Sequence, residues 1–232
     1  MAPHPESPLT DTYARVAGIL YLIIIVCALF SEVIVRSGMV VPGDAIATAS
    51  NISRSEFLFR VGLVSDLIAF LSDVVVAVLL YILLRPVSQV LSLTAAGFRL
   101  TGTAIYGVNL LNHLAPLLLL GGSGFLGVFD RGQVEGLALF FLELHGHGYD
   151  LGLVFFGGHC LAIGYLLYKS DFVPKILGVL MVLAGFGYLI GSGTLFLFPD
   201  RAEAVAFVYV APLIGELALG LWLVTKGVRA PS

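Results

Sequence analysis

Charged residues are scarce in this chain. Lysine, arginine, aspartate and glutamate together make up 12% of its 232 residues, against about 25% in globular proteins. The formal net charge is −3 and no basic run occurs, which argues against nucleic acid as a partner. Two cysteines are too few for a disulfide scaffold. These shortages exclude nucleic-acid-binding and disulfide-rich proteins, and the apolar composition excludes a disordered one.

Apolar residues are correspondingly abundant. They account for 59% of the chain, and 27 further residues are glycine. One water-soluble core cannot bury that much apolar surface in a chain of this length, so the excess must face lipid. We therefore expect a multi-pass integral membrane protein whose first partner is the lipid bilayer of the cell membrane.

Six apolar segments are long enough to cross that bilayer. Residues 100–129 are interrupted only by His113, and residues 176–199 hold no acidic residue, basic residue or histidine; both exceed the ~20 residues that a spanning helix needs. The predicted fold class is all-α, a polytopic membrane bundle of six transmembrane helices with short loops. The predicted spans are 16–36, 57–84, 94–120, 136–168, 176–198 and 204–226. The predicted domains are a cytoplasmic N-terminal tail, 1–14, a single transmembrane domain, 15–227, and a cytoplasmic C-terminal tail, 228–232.

The connections and the basic residues give an orientation. Residues 37–56 and 121–135 form the two longest connections and are predicted to be loops on the outer face. With the N-terminus inside, six basic residues lie on the cytoplasmic side: Arg15, Arg85, Lys169, Lys175, Lys226 and Arg229. Four lie on the opposite side: Arg36, Arg54, Arg131 and Arg201. This asymmetry favours both termini in the cytoplasm.

Ionisable side chains inside the spans are the candidates for function, because burying them in a bilayer is costly. Counted from the outer ends of their spans, Asp66, His113 and His145 lie at about the same depth, roughly seven to nine residues in. Two histidines and a carboxylate at one level are a common ligand set for a divalent metal, so these three are the predicted metal ligands. The wider candidate polar site comprises Asp66, Asn109, His113, His145, Tyr149, His159, Arg99, Asp73 and Glu216.

Helical spacing within the fourth span separates two faces. His145, Tyr149 and His159 follow steps of three and four residues and share one face, while Glu143 and His147 lie on the opposite face. The alternative interpretation is that the polar residues only hydrogen-bond between helices. In that case Asp73 would pair with Arg99, and Arg60 would pair with Glu32 or Glu143. Glu216 would either pair with a basic residue on another helix or stay protonated.

Several ordered strings resemble a known family. They are RVAGILYLI (15–23), DAIATASNISRSEFLFRVGL (44–63), LLYILLRPVS (79–88), FRLTGTAIYGVNLLN (98–112), LHGHGYDLGLVFFGGHCLAIGYLLYKS (144–170) and PKILGVLMVLAGFGYLI (174–190). Together they resemble the bacterial domain of unknown function 4386 family, over about residues 12–198. The resemblance implies a six-helix membrane protein and brings no reaction with it.

Three classes of function remain open, and whether the protein is an enzyme stays undecided. The sequence favours a structural or regulatory component, or a bundle that binds a small molecule or another membrane protein. The alternatives are a transporter that uses intramembrane acids, and a metal-dependent intramembrane enzyme with an outer-leaflet His/Asp site. Against the enzyme, no HExxH pair occurs; against the transporter, no inverted repeat is visible.

Overall fold

The computed structural model describes residues 8–122 and 124–228, and within these residues it contains helices and no β-strand. The helices α1 to α9 are Pro8–Leu29, Ser37–Met39, Ala45–Arg54, Glu56–Leu84, Gln89–Leu120, Arg131–Lys169, Lys175–Leu197, Ala202–Val205 and Val210–Lys226. A π-helical segment, Phe30–Arg36, joins α1 to α2. Three short 3-10 helices are Gly124–Val128, Pro199–Arg201 and Ala206–Tyr209.

Six stretches of the described chain are long and apolar enough to cross a membrane. They are Thr10–Met39, Glu56–Leu84, Gln89–Leu120, Arg131–Lys169, Lys175–Leu197 and Pro199–Lys226. Large apolar side chains on these helices remain exposed, for example Leu71 and Val108 at 70% each, because a helix satisfies its own backbone and can turn apolar side chains to lipid. The predicted all-α, six-helix membrane fold is confirmed, and the protein is a multi-pass membrane protein.

The connection 37–56 is not the loop that the sequence predicts. It contains the helix α3, whose first turn is capped by the Asp44 side chain, which accepts a hydrogen bond from the Ala47 backbone N–H at 2.8 Å. Asn51 on α3 donates to the Met39 carbonyl oxygen at 3.1 Å. A ten-residue helix is too short to be stable by itself in water, so the cap and these tertiary contacts support it.

The predicted tails fall largely outside the described residues. Residues 1–7 and 229–232, including Arg229 of the charge count, are not described, while residues 8–14 belong to α1. The division into one transmembrane domain and two cytoplasmic tails stays a prediction.

The chain forms two compact units. The first, unit 1, consists of Met1–Ile23, Leu71–Thr103 and Leu151–Ser232; the second, unit 2, consists of Ile24–Phe70 and Ala104–Asp150. The four helices α1, α4, α5 and α6 each contribute residues to both units. The polar residues of interest are described below unit by unit.

In unit 1, glycines bring α6 and α7 close together. A Cβ atom on Gly164 would lie 2.8 Å from the Gly178 carbonyl oxygen, and one on Gly178 would lie 2.7 Å from the Gly164 carbonyl oxygen. Small residues of this kind let helix backbones approach in a membrane, where dispersion and hydrogen bonding replace the hydrophobic effect as the force between helices.

In unit 2, an apolar cluster anchors the residues that follow the π-helical segment. It consists of the buried residues Val35, Met39, Ile52, Phe59, Leu117 and Leu142. These come from the π segment, α2, α3, α4, α5 and α6 in turn. Close packing of side chains from six elements at one place holds the π segment against the three long helices through dispersion contacts.

Candidate functional site

The three predicted metal ligands come together in unit 2. Asp66 on α4, His113 on α5 and His145 on α6 each offer one ligand atom, and these atoms all lie within 4.8 Å of one another. Their residues are 2%, 0% and 3% exposed. The two imidazole rings meet edge to face, with centroids 5.6 Å apart. The equal depths counted along the sequence thus correspond to one buried cluster.

Backbone and ring contacts fix the orientation of His113. Its Nε2 lies 3.2 Å from the Phe59 carbonyl oxygen, and its ring stacks on the Phe59 ring with centroids 4.2 Å apart. A carbonyl oxygen only accepts hydrogen bonds, so Nε2 carries the hydrogen and Nδ1 of the neutral ring keeps the lone pair.

His145 is held by α5 in a similar way. Its Nδ1 lies 3.2 Å from the Asn109 carbonyl oxygen, and the Asn109 side chain donates in return to the His145 carbonyl oxygen at 2.7 Å. Asn112 donates to the Asn109 side-chain oxygen at 2.9 Å. By the same argument Nδ1 of His145 carries the hydrogen, and Nε2 keeps the lone pair.

The Nε2 atom of His145 is buried and, within the described part of the chain, has no hydrogen-bond partner. Histidines that bind metals usually donate their other ring N–H to a carbonyl or carboxylate, which fixes the tautomer and the ring orientation. Both His113 and His145 have that arrangement. Two bonds of ~2 Å to a tetrahedral ion hold the donors about 3.3 Å apart, so donors that lie within 4.8 Å of one another would have to approach by up to about 1.5 Å.

Arg36 also enters the cluster, which the sequence did not predict. Its Nη1 donates to Asp66 Oδ2 at 2.6 Å and to Ser31 Oγ at 2.8 Å, and lies 3.5 Å from His113 Nδ1. Its Nε donates to the exposed Glu32 at 2.7 Å. The residue is 7% exposed, so the basic residue at the end of the predicted first span is a buried member of this polar cluster.

The π-helical segment explains how Arg36 reaches this position. In an α-helix, residues five apart point about 140° away from each other, because each residue turns the helix by about 100°. A π-helix closes its turns from residue i to i+5, so Ser31 and Arg36 share a side. Ser31 in turn donates to the Gly62 carbonyl oxygen on α4 at 3.1 Å. π-Helical turns occur often at functional sites.

Unit 1 contains a second buried polar cluster, built around Arg99. Asp73 Oδ1 accepts from Arg99 Nε at 2.9 Å and from Nη2 at 2.5 Å, as the alternative of a structural ion pair predicts. Arg99 Nη1 donates to the Tyr21 hydroxyl at 3.2 Å and lies 2.9 Å from His159 Nε2. Thr103 donates to the other Asp73 oxygen.

The Arg99 cluster is saturated within the protein. The His159 Nδ1 lies 2.9 Å from the Ala95 carbonyl oxygen, so the Nε2 lone pair is free to accept from Arg99. The guanidinium also lies over the Tyr21 and Phe156 rings, at 4.7 and 4.8 Å from their centroids. Arg99, Asp73 and His159 therefore satisfy one another, and among the residues that the structure describes no nitrogen or oxygen atom of these three side chains lacks a partner.

The remaining candidates lie beside these clusters. Tyr149 stacks on Tyr106 with centroids 4.6 Å apart, and its ring centroid is 6.4 Å from that of His145. Glu216, in unit 1, accepts a hydrogen bond from the Tyr188 hydroxyl, a partner that the sequence did not suggest because tyrosine carries no charge.

Two details of the fourth and second spans complete the comparison. Glu143 and His147 are exposed, as their place on the opposite face from His145 predicts. The proposed pairing of Arg60 with Glu32 or Glu143 is wrong, because Arg60 binds Glu56 at 2.6 Å, one turn away on its own helix.

Comparisons with known proteins agree with the resemblance seen in the sequence. An uncharacterized protein of Archaeoglobus fulgidus is 34% identical over 155 residues, which cover 67% of this chain and 76% of the relative. No solved structure matches. The model of the family described as domain of unknown function (DUF4386) matches residues 16–227, the stretch that holds both polar clusters, and the chain belongs to this family.

Proposed function

We propose that this membrane protein binds a divalent transition-metal ion between Asp66, His113 and His145. The observation that carries the proposal is the buried lone pair of His145 Nε2, which lacks a hydrogen-bond partner among the described residues. Leaving a buried polar atom unsatisfied costs about 1–3 kcal/mol. A metal ion at this position would satisfy it and would be held by the two other donors as well.

The donor set defines the class of metal. Imidazole nitrogens with one carboxylate suit zinc and iron(II), and oxygen-rich sites suit magnesium and calcium. Three protein donors leave a coordination position open, as in catalytic rather than structural zinc sites. When bound, such an ion would activate a water molecule for hydrolysis, so the metal-dependent enzyme is the form of activity that these donors support.

We propose that in the metal-free protein the positive charge beside Asp66 and His113 is supplied by Arg36. Its Nη1 lies where a cation would contact both Asp66 and His113. A guanidinium about 4 Å from a divalent ion is repelled by about 8 kcal/mol at an effective dielectric constant of ~20. The guanidinium must therefore leave as the ion enters. Glu32 already pairs with Arg36 Nε, and its side chain is 61% exposed. The displaced guanidinium could therefore remain paired with Glu32 when it moves away from Asp66.

A structural or regulatory role is the second candidate, and the Arg99 cluster supports it. That cluster has the same residue types, arginine, aspartate and histidine, yet all three groups are saturated within the protein. If Asp66 and His113 serve the same purpose as Asp73 and His159, the protein holds no metal. A transporter that carries the ion through the Asp66 cluster would also bind it. The metal-content test below therefore gives the same result for a transporter as for an enzyme.

Metal content tests the proposal. We expect the purified full-length protein, loaded with zinc or iron(II) and freed of excess metal, to retain one ion per chain by mass spectrometry of the elements. His145→Ala and His113→Ala should lose it. His147→Ala and Glu143→Ala, exposed changes on the same helix as His145, are the matched controls and should retain it. If the wild-type protein retains no metal, the metal-site proposal is wrong and the structural or regulatory role is favoured.

We also propose that the protein lies in the cell membrane with both termini in the cytoplasm. The basic count supports this orientation, with six basic residues on the cytoplasmic side against four on the opposite side. Reporter fusions after residues 48 and 230 should report opposite compartments. Agreement between the two fusions would contradict the orientation.

A further inference from the structure

Unit 2 also contains a cleft whose lining includes none of the candidate polar-site residues. It has a volume of about 700 Å³ and lies among α3, the end of α5 and the start of α6. Two arginines, Arg54 and Arg131, line it together with the hydroxyl-bearing Ser50 and with Leu120 and Phe129. The cleft therefore combines cationic, hydroxyl and apolar walls.

The charges of the cleft are unbalanced. Arg131 donates from Nε to the buried Glu135 at 2.8 Å, while the rest of its side chain is 90% exposed. Arg54 is exposed and, among the residues that the structure describes, forms no ion pair. Two arginines against one glutamate leave a net positive charge in the lining, and the unpaired guanidinium of Arg54 is free for an anion.

The position of the cleft limits what that anion can be. The span on α5 ends at Leu120 and the span on α6 begins at Arg131, while α3 directly precedes the span on α4. The spans on α4 and α5 have 29 and 32 residues, about 44 and 48 Å at 1.5 Å per residue. This is close to the ~40–45 Å thickness of a bilayer with its headgroups, so the ends of these two spans lie at the level of the headgroups. Phospholipids present a phosphate above acyl chains at this level, and guanidinium groups bind phosphate with paired hydrogen bonds.

We propose that this cleft binds the headgroup of an anionic phospholipid, with Arg54 on the phosphate and the apolar wall beside the upper part of an acyl chain. A zwitterionic lipid brings a cationic group that the arginines repel. A free phosphate ion gains nothing from Leu120 and Phe129. The site is separate from the proposed metal ligands, so Arg54 variants should leave metal content unchanged.

Lipid titration followed by native mass spectrometry tests this proposal on the full-length protein. Phosphatidylglycerol should bind at least fivefold more tightly than phosphatidylcholine with the same acyl chains, since one basic residue at the surface contributes about a factor of five to ten to the binding of an anionic lipid. Arg54→Gln should lose this preference, and Arg54→Lys should keep part of it. Within the described part of the chain Arg54 forms no ion pair that the change would break, so the variant should melt as the wild type does.

Arg60→Gln is the matched control, because Arg60 is an exposed arginine near the start of α4 that lies outside the cleft lining and pairs with Glu56. It should keep the preference for phosphatidylglycerol. Equal binding of the two lipids, or an unchanged preference in Arg54→Gln, would overturn the proposal. Complete displacement of the lipid by inorganic phosphate would assign the cleft to a free anion instead, which also overturns it.

Discussion

Replacing Arg36 by glutamine separates the role of this residue from that of the metal ligands. The change removes the cation that pairs with Asp66 at 2.6 Å, while Asp66 itself stays 2% exposed. Breaking a buried ion pair by removing one partner costs about 3–5 kcal/mol. For a chain of this size each kcal/mol shifts Tm by about 2–4 °C, so metal-free Arg36→Gln should melt roughly 6–20 °C below the wild type.

Metal should reverse much of that loss. Without the guanidinium, a divalent ion no longer meets a positive charge beside Asp66, and we expect its affinity to rise at least tenfold. A ligand at one hundred times its Kd stabilises the folded state by about 2.7 kcal/mol, which is at least half of the predicted loss. Thermal melting in detergent, with and without zinc, measures both effects on the same sample.

Arg60→Gln is the control for this prediction. Arg60→Gln removes an arginine from an exposed pair with Glu56, which is worth about 0–1 kcal/mol, so it should leave Tm and metal affinity nearly unchanged. If Arg36→Gln binds zinc more weakly than the wild type, or if zinc fails to raise its Tm, then Arg36 does not compete with a metal and the proposed exchange is wrong.

Three further variants test the surroundings. Asp73→Asn should strand the buried guanidinium of Arg99 and lower Tm by a similar amount, while metal content stays unchanged; a loss of metal would contradict the assignment of a structural role to that cluster. Asn109→Ala should reduce metal affinity about 10–100-fold, the usual effect of removing a group that orients a ligand, because it frees the backbone of His145; unchanged affinity in a calorimetric titration would count against this. Gly164→Val should impair folding, since its Cβ would press on the backbone of α7, and normal yield and Tm would argue against that packing.

The position of the metal-ligand candidates could be predicted because a spanning helix converts sequence position into depth. Asp66, His113 and His145 were assigned one level by counting residues from the ends of three spans, and the structure brings their ligand atoms within 4.8 Å. The step of fourteen residues from His145 to His159, near four helical turns, likewise predicted a shared buried face on α6. Regular helices preserve such counts.

Where the helix is irregular, the same reasoning failed. A π-helical turn has no residue signature, so nothing in the string FSEVIVR indicates that Arg36 turns inward beside Ser31. The helix α3 is not predicted because it is too short to count as a span, and the contact of Asn51 with the Met39 carbonyl oxygen that holds it is not visible in the sequence. The partner of Glu216 was missed because a hydroxyl group, unlike a charge, does not stand out in an apolar span.

X-ray absorption spectroscopy of the zinc-loaded wild-type protein tests the central claim most directly, because it reports the atoms bonded to the ion. The account predicts two imidazole nitrogens at about 2.0–2.1 Å and carboxylate oxygen at about 2.0–2.2 Å, with this signal lost in His145→Gln, which should not retain zinc, and unchanged in His147→Gln. A zinc ion surrounded by water oxygens alone, or an imidazole signal that survives the His145 change undiminished, would contradict it.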